Sequence, residues 1–278
     1  MKALPIGTMQ GRLVPKEEGR FQSFPAERWR DEFANARAAG LANIEWIYEE
    51  PHEDANPMRT DEGHAELKRL SAETGVSIWS VCADYYMTKT LVRPDASADA
   101  EASEHLAWLI GRVSKLGITY IVLPFVDASS LQSKAQRDAL PAILQPLLAK
   151  AKSAGVELHL ETDLPPHDFA ALLERVGHSH LKCNYDIGNS ASLGFDQGEE
   201  LTVLGPWLGS VHVKDRVKGG STVPLGTGNA DFPTCFRKIA DAGFSRWFIL
   251  QAARGPEGDE VNWMKKNRKF VEDHVAGV

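Results

Sequence analysis

Four polar residues in the second half of the chain have the types and the spacing of a metal-binding site. Each ends a short apolar run, and they are Glu161, Asp186, His212 and Gln251. They follow one another at intervals of 25, 26 and 39 residues, and each interval is long enough for one strand-plus-helix unit. Two carboxylates, an imidazole and an amide carbonyl, brought to one place, would bind a divalent cation. The amide is the unusual member, because a second carboxylate in its place would hold a cation more strongly.

The runs that carry these residues belong to a regular alternation along the whole chain. Short β-rich runs begin near Leu4, Asn43, Val76, Ile118, Val156, His180, Ser210 and Arg246. Segments with apolar residues at helical spacing lie between them, and several end in a glycine, the residue that most readily caps a helix. This pattern predicts a single (β/α)8 barrel domain over residues 1–278. A doubly wound open sheet is the competing fold, but no glycine-rich fingerprint follows the first strand.

The apolar periodicity also predicts where helices lie. We expect them at residues 29–39, 106–116, 140–154, 169–176 and 236–242. Three strand-to-helix connections are long, at residues 11–25, 49–60 and 84–98. Active sites of barrels form at the carboxyl ends of the strands, so the four polar residues should meet at one mouth, walled by these loops.

Composition and charge exclude several classes of protein. The net charge of −7 argues against a duplex nucleic-acid binder, which normally carries a basic face. No apolar run approaches the roughly 20 residues of a membrane span, and the first residues do not form a secretory signal. The cysteines, Cys82, Cys183 and Cys235, are far apart and odd in number, which favours a reduced cytoplasmic protein without disulfides.

The sequence resembles the xylose isomerase-like TIM-barrel superfamily, the sugar (phosphate) isomerase and epimerase group that includes the ketose 3-epimerases. The resemblance spans nearly the whole chain. It is carried by Glu161, by NYDIGN with Asp186, by VHVKD with His212, and by the loop PLGTGNADF at residues 224–232. It implies that Glu161, Asp186 and His212 bind one divalent metal ion (Mn²⁺, Mg²⁺, Co²⁺ or Zn²⁺). It also implies a second glutamate on the last strand, and proton exchange by the two glutamates on opposite faces of an enediolate.

The chain departs from that family pattern at two positions. Gln251 stands where the second glutamate is expected, and an amide can coordinate a metal but cannot take up a proton near neutral pH. Asn189 stands where the epimerases often carry a histidine. The metal site is therefore expected here, whereas the symmetric two-glutamate mechanism is not.

Further residues complete the expected site. Glu161 is the expected base, and Lys214, two residues beyond His212 on the same strand face, is the expected acid or electrostatic stabiliser. We expect Glu45, Asn189, Arg12 and Arg254 to bind substrate, since an arginine fork suits a phosphate or carboxylate. His159, one pleat below Glu161, is expected to support the site from below.

The function that these residues favour is a metal-dependent isomerase or epimerase acting on a sugar, a sugar phosphate or a related polyol through an enediolate. Two alternatives stay open. One is a metal-dependent dehydratase or lyase that eliminates water with Glu161 as base, and the other is a non-catalytic sugar-binding barrel. The expected partners are a small sugar-like substrate and other copies of the chain in a homodimer or homotetramer, with no nucleic acid and no membrane.

Overall fold

The chain folds into a closed barrel of parallel strands. The computed structural model describes residues 4–277. The strands are β1 (Ile6–Met9), β2 (Asn43–Ile47), β3 (Ser77–Cys82), β4 (Tyr120–Phe125), β5 (Glu157–Thr162), β6 (Leu181–Asp186), β7 (Leu208–Val213), β8 (Asp215–Arg216), β9 (Thr222–Val223) and β10 (Phe248–Leu250). The barrel order is β1-β10-β7-β6-β5-β4-β3-β2, while β8 and β9 form a separate antiparallel hairpin. The eight expected strands are thus all present, and the barrel fold is confirmed.

Helices follow the strands and cover the outside of the barrel. They are α1 (Asp31–Ala39), α2 (Asp61–Thr74), α3 (Tyr85–Thr88), α4 (Ala100–Ser114), α5 (Lys134–Ala154), α6 (Pro166–Val176), α7 (Ile187–Leu193), α8 (Gln197–Leu204), α9 (Phe232–Asp241) and α10 (Glu260–Val275). Gly40, Gly75 and Gly155 cap α1, α2 and α5 in the left-handed conformation, as the sequence predicts.

All five predicted helix starts differ from those in the structure, by two to six residues. Trp29 is buried but precedes α1, which begins at Asp31. Helix α5 begins six residues before the expected position, because Ser133 and Gln136 form a reciprocal capping box. The helix continues through Pro141, which leaves the carbonyl of Arg137 without its helical donor. The guanidinium Nη2 of Arg175 donates to that carbonyl at 2.7 Å and replaces the lost hydrogen bond.

The connection after β7 is folded around a buried aspartate. Asp215 accepts hydrogen bonds from the backbone N–H groups of Gly226, Gly228 and Ala230, at 2.9, 2.8 and 3.2 Å. A side chain on Gly228 would overlap Asp215, because its Cβ would lie 2.3 Å from Oδ1. Gly226 and Gly228 therefore allow the loop backbone to approach the carboxylate of Asp215 closely. Their Gly-x-Gly spacing is no nucleotide-binding fingerprint.

The barrel interior contains an unusual amount of polar surface. Side chains of Thr8, Glu45, Ser80, His159, Asn184, Ser210 and His212 are at most 2% exposed. Burying polar groups is costly unless they are hydrogen bonded, so such an interior indicates a functional site. Within residues 4–277 no helix is long and apolar enough to span a bilayer, and all three cysteines are buried and unpaired.

Candidate metal centre

Three of the four polar residues meet at the mouth of the barrel. Glu161, Asp186 and His212 come from the carboxyl-terminal ends of β5, β6 and β7, and each offers a donor atom within 4.8 Å of the others. Their side chains are buried, with Asp186 5% and Glu161 6% exposed. The parallel register brings them together, because Asp186 pairs directly with His212. In the described part of the chain, this is the one group of at least three acidic, histidine or cysteine side chains with such geometry.

The imidazole of His212 is held between carboxylates. Its Nε2 lies 2.6 Å from Oε1 of Glu45, and its Nδ1 lies 3.3 Å from Oε2 of Glu161 and 4.0 Å from Oδ2 of Asp186. Burial disfavours the charged imidazolium, but the negative charge of Glu45 and the contact with Glu161 outweigh burial and raise its pKa to about 10. Glu45 therefore orients the ring so that Nδ1 faces the two acids.

The two acids respond differently to their shared environment. Burial favours the neutral form of Glu161, yet contact with His212 and the charge of Lys214 prevail, and its pKa lies below the usual value. For Asp186, burial prevails over the attraction of Lys214 and, with the nearby charge of Glu161, raises the pKa. A bound cation would relieve this repulsion, because it would neutralise both carboxylates.

A second layer of polar residues lies directly below the first. His159, Asn184 and Ser210 each precede a member of the upper layer by two residues and so face the same side of their strands. The Ser210 hydroxyl donates to Oδ1 of Asn184 at 2.5 Å and contacts Nδ1 of His159 at 2.8 Å. The Asn184 amide donates to Oε2 of Glu161 at 2.7 Å and contacts Nδ1 of His212 at 3.1 Å. The lower layer therefore fixes the orientation of the upper one.

This lower layer is anchored at the opposite end of the barrel. Nε2 of His159 lies 3.1 Å from Oε2 of Glu157. Glu157 in turn forms a bidentate ion pair with Arg246, at 2.5 and 3.0 Å. Burial of the His159 ring lowers its pKa to about 4, and the ring stacks on Tyr120 at 4.1 Å. A continuous set of hydrogen bonds thus runs from Arg246 to Glu161, and its shared partners limit the freedom of each member.

Lys214 and Gln251 lie above the acids, toward the mouth. The ammonium of Lys214 donates to Oδ2 of Asp186 at 3.3 Å, to Oδ1 of Asn189 at 3.1 Å and to Oε1 of Gln251 at 3.2 Å. The side-chain amide of Asn189 in turn donates to Oε1 of Glu161 at 2.7 Å. Both oxygens of Glu161 therefore accept an amide hydrogen bond, one from Asn184 below and one from Asn189 above.

The long loop at residues 11–25 brings an unexpected residue to the site. Gln22 accepts a hydrogen bond from Nε2 of Gln251 at 3.0 Å and donates to Oδ2 of Asp84 at 2.8 Å. Arg12 donates to the carbonyls of Ala252 and Phe21 and to Gln22, each at 3.1 Å. Loop residues therefore form one wall of the mouth, in agreement with the expected role of the long loops.

The expected substrate-binding residues fall into two groups. Asn189 lies in the mouth, and its side chain is partly exposed. Arg12, 2% exposed, and Arg254 both direct their guanidinium groups to loop carbonyls, and Glu45 is bonded to His212. The two arginines therefore position the loop, and Glu45 positions the histidine. That these three residues bind substrate directly stays a prediction.

The residues missed from the sequence are Gln22, Asn184 and Ser210. The sequence could have indicated the last two, because Asn184 and Ser210 lie two residues before Asp186 and His212, and side chains two residues apart on a strand face the same side. No local pattern marks Gln22, since its contact with Gln251 joins residues 229 positions apart.

The donor set suits a divalent cation. Glu161, Asp186 and His212 offer two hard oxygen donors and one nitrogen donor. The ammonium of Lys214 donates both to Asp186 and to the carbonyl Oε1 of Gln251. Oxygen with one imidazole nitrogen fits Mn²⁺, Mg²⁺, Co²⁺ or Zn²⁺. His212 donates its Nε2–H to Glu45, and Glu161 accepts an amide hydrogen bond from Asn184; metal ligands in proteins usually have such hydrogen-bond partners.

Comparison with known proteins agrees with this architecture. A family model described as the xylose isomerase-like TIM barrel matches residues 33–274. The L-ribulose-5-phosphate 3-epimerase UlaE of Salmonella paratyphi A is 27% identical over 292 residues, which cover 99% of this chain and 96% of that protein. A D-allulose 3-epimerase from Methylomonas sp., crystallised with D-allulose, superposes with a TM-score of 0.75 at 18% identity, covering 98% of this chain and 97% of that one.

A second similar structure was solved with a metal ion. A xylose isomerase-like TIM barrel protein from Mycobacterium smegmatis, in complex with magnesium, superposes with a TM-score of 0.69 at 19% identity, covering 99% of this chain and 97% of that one. The match of the family model over most of the chain, on a closed barrel with this site at its mouth, leads to one conclusion. The chain belongs to the xylose isomerase-like TIM barrel family.

Proposed function

We propose that this protein is a divalent-metal-dependent isomerase or epimerase that acts on a sugar, a sugar phosphate or a related polyol. The observation that carries the proposal is the buried cluster of Glu161, Asp186 and His212 at the barrel mouth. Charged groups are rarely gathered and buried without a function, because their desolvation is costly. The names of the curated relatives, which are sugar-phosphate epimerases, support the substrate class.

Glu161 is the proposed base. Its carboxylate would take a proton from the carbon next to the substrate carbonyl and return it to the enediolate. Amide hydrogen bonds from Asn184 and Asn189 hold both of its oxygens and so aim the carboxylate. A divalent ion bound by Glu161, Asp186 and His212 would supply Lewis-acid polarisation of the carbonyl.

Lys214 is the proposed second proton-handling group. Gln251 cannot exchange a proton, and Lys214 Nζ lies 3.2 Å from its carbonyl oxygen. An ammonium at that position would stabilise the developing oxyanion or protonate the enediolate. The mechanism proposed here therefore uses one carboxylate and one ammonium instead of two carboxylates.

The same pair of groups also favours a second candidate, a dehydratase or lyase. A carboxylate base and a separate ammonium acid suit β-elimination, in which Glu161 removes a proton and Lys214 protonates the departing hydroxyl. The observation that favours this candidate is the neutral amide of Gln251, which removes the symmetry that epimerisation exploits.

One experiment separates these functions. Metal-loaded protein is incubated in D2O with ketopentoses, ketohexoses and their phosphates, and the products are followed by NMR. We expect deuterium at the carbon next to the carbonyl, together with the isomer or epimer, and no turnover by Glu161→Gln. An unsaturated or dehydrated product would establish the lyase, and absence of both deuterium and products across the panel would contradict the proposal for those substrates.

A further inference from the structure

The ammonium of Lys214 lies where a cation would be bound. Its hydrogen bonds go to Asp186, Asn189 and Gln251, at 3.1 to 3.3 Å, and an ammonium has three protons to donate. The side chain is 12% exposed, so little of this charge is solvated by water. All three donors of the lysine are therefore directed to oxygens inside the site.

The path of the Lys214 stem is built into the fold. It crosses the first turn of α7 at Gly188, where an added Cβ would lie 2.6 Å from Cγ and 2.9 Å from Cβ of Lys214. Real carbon atoms do not approach so closely, so only a glycine admits the stem at this point. This close approach indicates that the inward position of Lys214 belongs to the packed structure.

Two of the oxygens that Lys214 contacts belong to residues that the sequence predicts as metal ligands, Asp186 and Gln251. Asp186 Oδ2 lies 3.3 Å from Lys214 Nζ and 4.0 Å from His212 Nδ1, and Gln251 Oε1 accepts from the same ammonium at 3.2 Å. A divalent ion that used these oxygens would stand beside the ammonium in a buried site, where like charges repel strongly. The lysine and a divalent ion would therefore compete for the same oxygens.

We propose that Lys214 is an internal cation that occupies the position between Asp186 and Gln251, and that a divalent ion must displace it to bind. The displaced ammonium stays tethered at the mouth, beside the substrate. Of the three hydrogen-bond partners of the ammonium only Asp186 is a carboxylate, whereas Asn189 and Gln251 are neutral amides. The inference rests on the proposed function only in that the site takes a divalent ion.

The affinity of the protein for Mn²⁺ tests the proposal. The chain is stripped of metal, and Mn²⁺ binding is measured by calorimetry for wild type, Lys214→Met, Lys214→Arg and the control Lys218→Met. Lys218 is an exposed lysine in the hairpin that follows Lys214. We expect Lys214→Met to bind Mn²⁺ at least ~10-fold more tightly than wild type, because it removes the competing charge. Lys214→Arg keeps the charge and should gain nothing, and Lys218→Met should match wild type. Circular dichroism establishes that each variant is folded.

Chemical labelling provides a second measurement on the unaltered protein. The rate of acetylation of Lys214 is followed by mass spectrometry with and without Mn²⁺, with Lys218 as the internal reference. We expect Mn²⁺ to accelerate labelling of Lys214 alone, since displacement exposes its amine.

The outcomes distinguish this inference from the proposed function. If wild type binds Mn²⁺ and Lys214→Met binds it no more tightly, the competition is refuted and the metal-dependent function stands. If neither wild type nor Lys214→Met binds Mn²⁺, both the competition and the metal-dependent function are refuted. Unchanged labelling of Lys214 in a protein that binds Mn²⁺ would refute displacement.

Discussion

Oε1 of Glu45 lies 2.6 Å from Nε2 of His212, and both side chains are completely buried inside the barrel. These residues are 167 positions apart in the chain, on β2 and β7. The contact presents Nδ1 of the imidazole to Glu161 and Asp186, which is the orientation that a metal ligand requires.

Replacing Glu45 tests this positioning role. We expect Glu45→Gln to weaken Mn²⁺ binding by roughly 10- to 100-fold, because the ring loses its charged partner. Calorimetry on folded protein measures the effect, and Glu101→Gln, an exposed position on α4, is the control. Equal affinity of Glu45→Gln and wild type would show that Glu45 does not act through His212.

The lower polar layer is tested through Ser210. Ser210→Ala leaves the carbonyl of Asn184 without its donor, so the Asn184 amide loses its fixed orientation toward Glu161. We expect kcat to fall roughly 10- to 100-fold with a much smaller change in KM, since misplacement affects the reacting geometry. The control is Ser129→Ala, which also removes a buried hydroxyl donor but has no contact with this layer. Equal losses of kcat in the two variants would assign the Ser210 effect to stability alone.

Gln251 is tested by restoring a carboxylate. Gln251→Glu should bind Mn²⁺ about 10-fold more tightly, because affinity of oxygen-ligand sites rises with the number of ligand charges. It should also lose the hydrogen bond to Gln22, whose oxygen would then face a carboxylate. Calorimetry measures the affinity, and deuterium exchange in D2O measures whether more substrate is epimerised. Unaltered Mn²⁺ affinity would show that residue 251 is not a ligand.

The pH dependence of stability is tested at Glu32. Burial raises the pKa of this carboxyl to about 8, although Oε1 accepts hydrogen bonds from the backbone N–H groups of Gly11 at 2.6 Å and Leu13 at 3.4 Å. The folded state therefore holds a proton that the unfolded state releases near the ordinary pKa of about 4.3. Its contribution to stability is complete below that pH and is lost as the pH rises through about 8.

Urea unfolding measures this contribution. Between pH 5 and pH 8, the free energy of unfolding of wild type should fall relative to Glu32→Gln by up to about 1.4 kcal/mol per pH unit. Glu27→Gln, at an exposed position just before helix α1, serves as the control and should follow wild type. Parallel curves for wild type and Glu32→Gln would contradict a buried, protonated Glu32.

The barrel and the three ligand candidates were predictable because their signals are local. Apolar periodicity marks the strands, and glycines such as Gly40 and Gly155 end helices through their own backbone preference. In a parallel barrel, the carboxyl-terminal ends of neighbouring strands lie at the same rim. Recognising Glu161, Asp186 and His212 as strand ends therefore sufficed to bring them together.

The functions of the surrounding polar residues were decided only by the tertiary structure. Arg12 and Glu45 have the same side chains whether they bind substrate or hold a loop and a histidine, and their partners lie up to 240 residues away. Closing the barrel brings the Lys214 ammonium within reach of Gln251 and Asp186, on different strands. The sequence determines the chemical groups and the strand ends that carry them, whereas side-chain packing across the closed barrel decides which groups share a proton, a charge or a cation.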